Sequence, residues 1–167
     1  MVRRNECSET MSDYNQNSIA PDAAQQRRQR WISVFSRTTP ETLEDLLNEH
    51  KNDHQFQVLR APERGLVMVR ARAGGRGTLF NAGEMTVTRC SVRSTKGTVG
   101  HGYVAGRSRR HAELAAQLDS IMQDMVPAAA EAIIETLNQK LTQAACARQQ
   151  KSAPTRVDFY TIVRGED

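Results

Sequence analysis

The sequence predicts an α+β fold in which a central antiparallel β-sheet is covered by helices. Apolar residues recur at helical spacing before residue 51, alternate with a period of two between residues 55 and 105, and return to helical spacing after residue 108. Strand runs flanked by helix runs are typical of this class. Glycine-containing turns interrupt the alternating stretch, which predicts a meander of neighbouring antiparallel strands.

Two short helices are predicted ahead of the sheet. Asp22 is a favourable N-cap for the first, and three apolar residues behind it have the i, i+3, i+4 spacing of a buried stripe. These are Trp31, Val34 and Phe35. The second helix begins with Thr39 as cap, Pro40 at the first helical position and Glu41 in the first turn. We expect it to end near Lys51.

The alternating segment predicts three strands joined by tight reversals. They run from about Gln55 to Ala73, from Glu84 to Ser94 and from Thr98 to Ala105. Glycines at 74–77 and the pair Lys96-Gly97 permit the two reversals. Residues 156–163 alternate again, so the chain either returns to its own sheet or adds a strand to a neighbouring protein.

Two further helices follow, and we expect both to cover the sheet. Ser108 is the predicted cap of the first, and Pro127 marks the break before the second. Their apolar stripes comprise Leu114, Leu118, Ile121, Met122, Met125 and Val126, then Ile133, Ile134, Leu137 and Leu141. Residues 1–20 show no apolar period and are predicted to form a disordered tail, which leaves residues 21–167 as a single domain.

Charge is concentrated in the middle of the chain. The net charge is +4, but residues 60–110 contain ten arginines and one lysine against two glutamates, a net +9, so the remainder carries −5. The three cysteines are widely spaced and lack any Cys-x-x-Cys pair, so neither a disulfide framework nor a zinc site is expected. No stretch approaches the roughly 18 apolar residues of a membrane helix, and we expect a cytoplasmic protein.

The first candidate anion site is the predicted helix start at Gly106–His111. A helix N-terminus is already positive, so Arg109, Arg110 and His111 each add an unfavourable term of about 0.3–1 kcal/mol unless an anion lies nearby. Arg107, Ser108 and His111 could therefore bind a phosphate or phosphonate. The alternative is that these side chains extend into water or pair with carboxylates of a partner.

Arg89 and Arg93 form the second candidate, because they share a strand face with Met85 and Val87. They could line an anion-binding cleft, but a solvated or interface role is also open. The glycine loop at 74–77 could bind an anion through its amides, although it lacks the ending of a P-loop and suits a hairpin turn.

No catalytic or metal-binding constellation is recognisable in the sequence. The four histidines are scattered, without an i, i+4 pair or a nearby cysteine. Neither a Ser-His-Asp pattern nor a nucleophile elbow is present. Glu131 and Glu135 are helical neighbours at i and i+4, but we expect them on an exposed side of the helix.

Several short sequence motifs, each of low specificity alone, occur in an order that resembles a known protein family. They are Arg30-Trp31 followed by Val34, Gly65-Leu66-Val67, Arg72 with Gly74-Gly75, Ala82-Gly83-Glu84, Thr86 to Arg89, Val92-Arg93, Gly106-Arg107 with His111-Ala112, and Arg156-Val157-Asp158-Phe159 to Val163-Arg164-Gly165. Over about residues 26–165 the sequence resembles the PhnG family, the G subunits of carbon–phosphorus lyase.

The resemblance implies an accessory subunit of a cytoplasmic core complex with H, I and J subunits, chiefly contacting I. In that family the G, H and I subunits, with an ATP-binding-cassette-like L subunit, displace adenine from ATP by an alkylphosphonate. The product is ribose 1-alkylphosphonate 5-triphosphate. ATP and the phosphonate are thus expected as substrates of the complex, and no cofactor is expected on this chain alone.

Two other functions remain open from the residues. A basic nucleic-acid-binding module is suggested by the charge of residues 60–110, although Phe80 and Tyr103 are the only aromatics there. A small enzyme acting alone on a phosphorylated nucleotide would use His111 as acid or base and Arg107 as a phosphate clamp.

Overall fold

The computed structural model describes residues 22–51 and 54–152. Its elements are α1 (Ala23–Phe35), α2 (Pro40–His50), β1 (Phe56–Arg72), β2 (Leu79–Ser94), β3 (Val99–Ala105), α3 (Arg109–Asp124) and α4 (Pro127–Ser152), with a short 3-10 turn at Ala73–Gly75. The strands form an antiparallel sheet in the order β1-β2-β3, which confirms the predicted α+β meander. The predicted tail at 1–20 and the strand near 156–163 lie outside the described residues.

Local capping sets the starts of the first two helices, as predicted. Asp22 accepts a hydrogen bond from the Gln25 backbone N–H at 2.7 Å, and the Gln25 side chain accepts one from the Asp22 N–H at 3.3 Å. This reciprocal pair satisfies two N–H groups that a helix start otherwise leaves unpaired. Thr39 caps α2, with Pro40 at its first position.

β1 and β2 form a long hairpin, and β3 pairs with only half of it. The β1–β2 pairing extends from Phe56↔Ser94 to Arg72↔Leu79, whereas β3 pairs with β2 between Val87 and Arg93. The predicted start of β2 at Glu84 was therefore wrong by five residues. Pairing with β1 keeps residues 79–83 extended although Asn81 and Gly83 are poor strand formers.

α3 is the central helix and lies on the inner face of the sheet, while α1 and α2 pack on α3. The core comprises Trp31, Val34, Phe35, Leu43, Leu47, Cys90, Val92, Val104, Ala112, Leu114, Ala115, Ala116, Leu118, Ile121, Met122, Ala130, Ile134 and Leu137.

The expectation that α4 also covers the sheet was wrong: its main partner is α1. Since α3 already occupies the sheet face, α4 joins the helical layer. Val126 is 69% exposed, so it does not continue the α3 stripe.

Two glycines in β3 allow α3 to approach the sheet closely. A Cβ atom at Gly102 would lie 1.9 Å from the Ala112 carbonyl oxygen, and one at Gly100 would lie 2.0 Å from the Ala116 carbonyl oxygen. Both distances are far below van der Waals contact, so only glycine fits. This contact fixes the height of the α3 N-terminus above the strands.

Candidate functional site: the start of α3

The loop that leads into α3 is anchored to β2. Gly106, which has a φ of 95°, donates its N–H to the Thr86 carbonyl at 2.8 Å. The buried Thr88 hydroxyl donates to the Gly106 carbonyl, also at 2.8 Å. Ser108 then caps α3 by accepting a hydrogen bond from the His111 N–H at 3.2 Å, which confirms the predicted cap. The helix start is thus held rigidly against the sheet.

Arginines surround this helix start, and only some have acidic partners. Arg110 pairs with Glu44 of α2 and lies 3.8 Å from Glu113. Arg64 reaches across from β1 and donates from Nε to the Arg107 carbonyl at 3.2 Å. Within residues 22–51 and 54–152, no carboxylate lies within ion-pair distance of the guanidinium groups of Arg64, Arg107 and Arg109. These three charges and the helix dipole together make a positive surface.

His111 joins α3 to the end of α1. Its Nε2 lies 2.9 Å from the Phe35 carbonyl oxygen. Because a carbonyl can only accept, Nε2 must carry the proton and donate. One ring nitrogen of this partly buried histidine is therefore engaged in holding two helices together.

Arg89 and Arg93 lie elsewhere, on the opposite face of the sheet. Thr88, Cys90, Val92 and Ser94 of β2 are buried on the α3 side, and the two arginines alternate with them. Arg89 donates from Nε to Glu63 at 2.6 Å, whereas Arg93 has no ion pair within the described part of the chain. The five predicted anion-binding residues therefore fall on two separate surfaces: Arg107, Ser108 and His111 together, and Arg89 with Arg93.

The sequence reasoning missed a buried polar cluster centred on Asp119. This fully buried carboxylate accepts from Arg28 at 2.8 Å and from Trp31 Nε1 at 2.7 Å. It also accepts from the His101 backbone N–H at 2.8 Å and from Gln123. An available signal was the acid beside the apolar stripe of a predicted buried helix, since such a group needs donors. Arg28 and Trp31, three residues apart, supply them.

Glu131 and Glu135 are also engaged, since both pair with Arg30 and so connect α4 to α1. Across the part of the chain that the structure describes, no His, Cys, Asp and Glu residues cluster in a way that could hold a metal ion. None of the helices there combines the length and hydropathy needed to cross a membrane.

Sequence comparisons show that this chain is similar to proteins of phosphonate metabolism. The family described as phosphonate metabolism protein PhnG matches residues 26–165. A protein of Rhizobium meliloti (strain 1021), named alpha-D-ribose 1-methylphosphonate 5-triphosphate synthase subunit PhnG, is 38% identical over 147 residues, which cover 87% of this chain and 94% of the relative. The match includes the whole sheet and the start of α3. The chain therefore belongs to the PhnG family of phosphonate metabolism proteins.

Proposed function

We propose that this chain is an accessory subunit of a ribose 1-methylphosphonate 5-triphosphate synthase. With its partner subunits it would be required for an alkylphosphonate to displace adenine from ATP, giving ribose 1-alkylphosphonate 5-triphosphate. The observation that carries the proposal is family membership, since the relative from Rhizobium meliloti bears the name of a subunit of this synthase. The partners proposed are the H, I and J subunits, chiefly I, in the cytoplasm where ATP is available.

Several ionisable groups of this chain are buried or hydrogen-bonded within its own fold, which supports an accessory role. Asp119 is surrounded by donors within the core. His111 holds α1 to α3 through Nε2, and burial raises the pKa of the Cys90 thiol, which keeps it protonated. These groups stabilise the fold, so we assign the bond-breaking chemistry to a partner subunit.

The start of α3 is the surface that we propose faces the substrates of the complex. Arg64, Arg107 and Arg109 have no acidic partner in the described chain, and Ser108 and His111 lie beside them. Planar guanidinium groups and helix N–H groups suit phosphate and phosphonate oxygens. In this proposal ATP and the alkylphosphonate bind the assembled complex, and this chain contributes positive charge without binding a cofactor alone.

Co-expression with the cognate H, I, J and L subunits tests the proposal. The complex should be purified through a tagged I subunit and assayed for adenine release from ATP with methylphosphonate, with and without this chain. We expect the chain to co-purify and adenine release to depend on it. Failure of the chain to associate, or unchanged adenine release without it, would contradict the proposal. The basic residues 60–110 should then be tested for nucleic-acid binding.

Charge removal tests the substrate-facing surface separately. Arg107→Ala and Arg109→Ala should raise the KM for ATP or methylphosphonate while the subunit still co-purifies. Arg27→Ala is the matched control, because Arg27 is an exposed arginine near the start of α1, where the adjacent Arg28 contacts Asp119 in the C-terminal half of α3. Equal effects of all three substitutions would remove the assignment of substrate binding to the start of α3.

A further inference from the structure

The β1–β2 hairpin extends well beyond the body of the protein. We call residues 64–86 the distal arm: it comprises β1 from Arg64, the turn, and β2 up to Thr86. β3 pairs with β2 only from Val87 onward. Nine residues of β1 at about 3.3 Å each give an arm roughly 30 Å long. No arm residue that the structure describes belongs to the hydrophobic core cluster.

The arm exposes large apolar side chains on both of its faces. They are Leu66, Met68, Val69, Leu79, Phe80 and Met85. Leu66 is 64% exposed and Phe80 is 49% exposed. A soluble protein exposes contiguous apolar surface of this kind mainly where another molecule binds.

The cross-strand register gives the two faces different chemistry. The pairs Val67↔Met85 and Ala71↔Phe80 lie on one face with Val69, and that face has no charged side chain. The other face carries Arg70, Arg72 and Glu84 among Leu66, Met68 and Leu79. A matching surface would therefore be apolar on one side of the arm and acidic on the other.

An uncovered two-stranded hairpin is at best marginally stable in water, because it buries little apolar surface to offset its conformational entropy. Apart from Arg64, which contacts Arg107, the arm contains three arginines and one glutamate, a net charge of +2. A second copy would bring the same charge against it, which disfavours self-association. Charge complementarity points to a different, acidic protein chain as the occupant.

We propose that the distal arm inserts into a groove of another subunit, apolar where it receives Val69, Phe80 and Met85 and rimmed by carboxylates that pair with Arg70 and Arg72. This inference rests on the proposed function, which supplies the complex, and it assigns the contact to a specific surface. The arm would order fully in that groove, so association would stabilise both proteins.

Excision of the arm is the sharpest test. Val67 and Met85 lie opposite each other, so replacing residues 68–84 with Asn-Gly closes the hairpin with a two-residue turn. Because the core loses no member, the shortened chain should fold, as checked by circular dichroism and a cooperative thermal transition. We expect it to lose co-purification with the tagged partner complex.

Point substitutions separate the two faces and supply a control. Phe80→Glu and the double change Arg70→Glu with Arg72→Glu should each weaken association at least about tenfold, a loss of about 1.4 kcal/mol. Val126→Glu places the same charge at a residue that is 69% exposed and lies off the arm. It should leave association unchanged.

The outcomes distinguish this inference from the proposed function. If the wild-type chain fails to co-purify, the proposed function is wrong. The docking inference is then wrong as well, because there is no partner subunit into which the arm inserts. If wild-type and arm-shortened chains co-purify equally, the complex stands and the docking inference is overturned. A wild-type dimer in light scattering that becomes a monomer on shortening would identify a second copy as the occupant, which also contradicts the proposal.

Discussion

The indole Nε1 of Trp31 donates to Oδ1 of Asp119 at 2.7 Å, inside the core. The same carboxylate accepts from Arg28 and from the His101 backbone N–H, so it joins α1, α3 and β3 at one point. Arg28 also donates to the Val99 carbonyl at 3.2 Å. The cluster thus sets the angle at which α1 crosses α3 and holds β3 beneath them.

Asp119→Ala should strongly destabilise the fold. Removing one partner of a buried ion pair typically costs about 3–5 kcal/mol, and the indole and the His101 N–H would also lose their acceptor. Because the Arg28 side chain is still 33% exposed and can be hydrated, we expect the lower end, about 3 kcal/mol. Urea unfolding followed by circular dichroism measures this as a shift in midpoint.

Glu131→Ala is the control, since Glu131 pairs with Arg30 while both side chains are nearly half exposed. Such surface pairs contribute less than about 1 kcal/mol. Comparable losses for the two substitutions would show that the Asp119 cluster is not a special stabilising feature.

Gly102→Ala should disrupt the contact between β3 and α3. The new methyl group would lie 1.9 Å from a backbone oxygen, so the helix must move as a unit. Overpacking of a core usually costs about 1–3 kcal/mol, and a backbone obstacle favours the upper end. Gly65→Ala is the matched strand control, because no atom lies within 4 Å of its added Cβ. Thermal unfolding measures the stability of both variants. A larger loss of stability for Gly65→Ala than for Gly102→Ala would contradict this interpretation.

Much of the fold was predictable because its signals are local. Asp22, Thr39 and Ser108 act as caps as expected, and the period of two correctly indicated a meander. Periodicity identifies the faces of an element but not what covers them. The sequence therefore did not reveal that α4 packs on helices, or that both faces of the distal arm are exposed.

The candidate site was predictable only in part, for the same physical reason. Ser108 and His111 are brought together by one helical turn, which sequence spacing shows directly. The arrival of Arg64 beside Arg107 and the separation of Arg89 from this surface depend on strand register. Register is a tertiary property, so neither could be predicted from local patterns. The donors around Asp119 come from three elements and were missed for that reason.

Cys90 should make stability fall at alkaline pH. Burial raises the pKa of the Cys90 thiol above its ordinary value of 9.0, the Glu113 carboxylate adds to the rise, and a backbone hydrogen bond at Ser91 partly offsets it. Above that ordinary value the unfolded chain loses the thiol proton while the folded chain keeps it. The unfolded state then binds fewer protons, so the free energy of unfolding decreases as pH rises.

The measurement compares wild type with Cys90→Ala in urea at about pH 7.5 and about pH 10, because other groups also titrate there. The alanine variant should be less stable near neutrality and should lose less stability on the alkaline side. A parallel loss in both proteins would contradict the assignment. Alkylation mapped by mass spectrometry should modify exposed Cys146 before Cys90.

Ser108 has two separable roles, and two substitutions distinguish them. As the α3 cap it accepts from the His111 N–H, so Ser108→Ala should cost about 1 kcal/mol of stability. Ser108→Asp keeps a capping oxygen and adds a negative charge that the helix dipole favours, so its stability should equal or exceed that of wild type. Urea unfolding provides both values.

The aspartate also occupies the surface that we propose for substrate oxygens, between Arg107 and Arg109. It should repel a triphosphate or phosphonate, so adenine release by the assembled complex should fall roughly tenfold, about 1.4 kcal/mol, in a stable and correctly assembled subunit. Thr39→Asp makes the same exchange of caps on α2 and should leave adenine release unchanged. Full activity of Ser108→Asp would show that the start of α3 faces no anion. Lost activity in the alanine variant alone would then be attributed to an unstable helix.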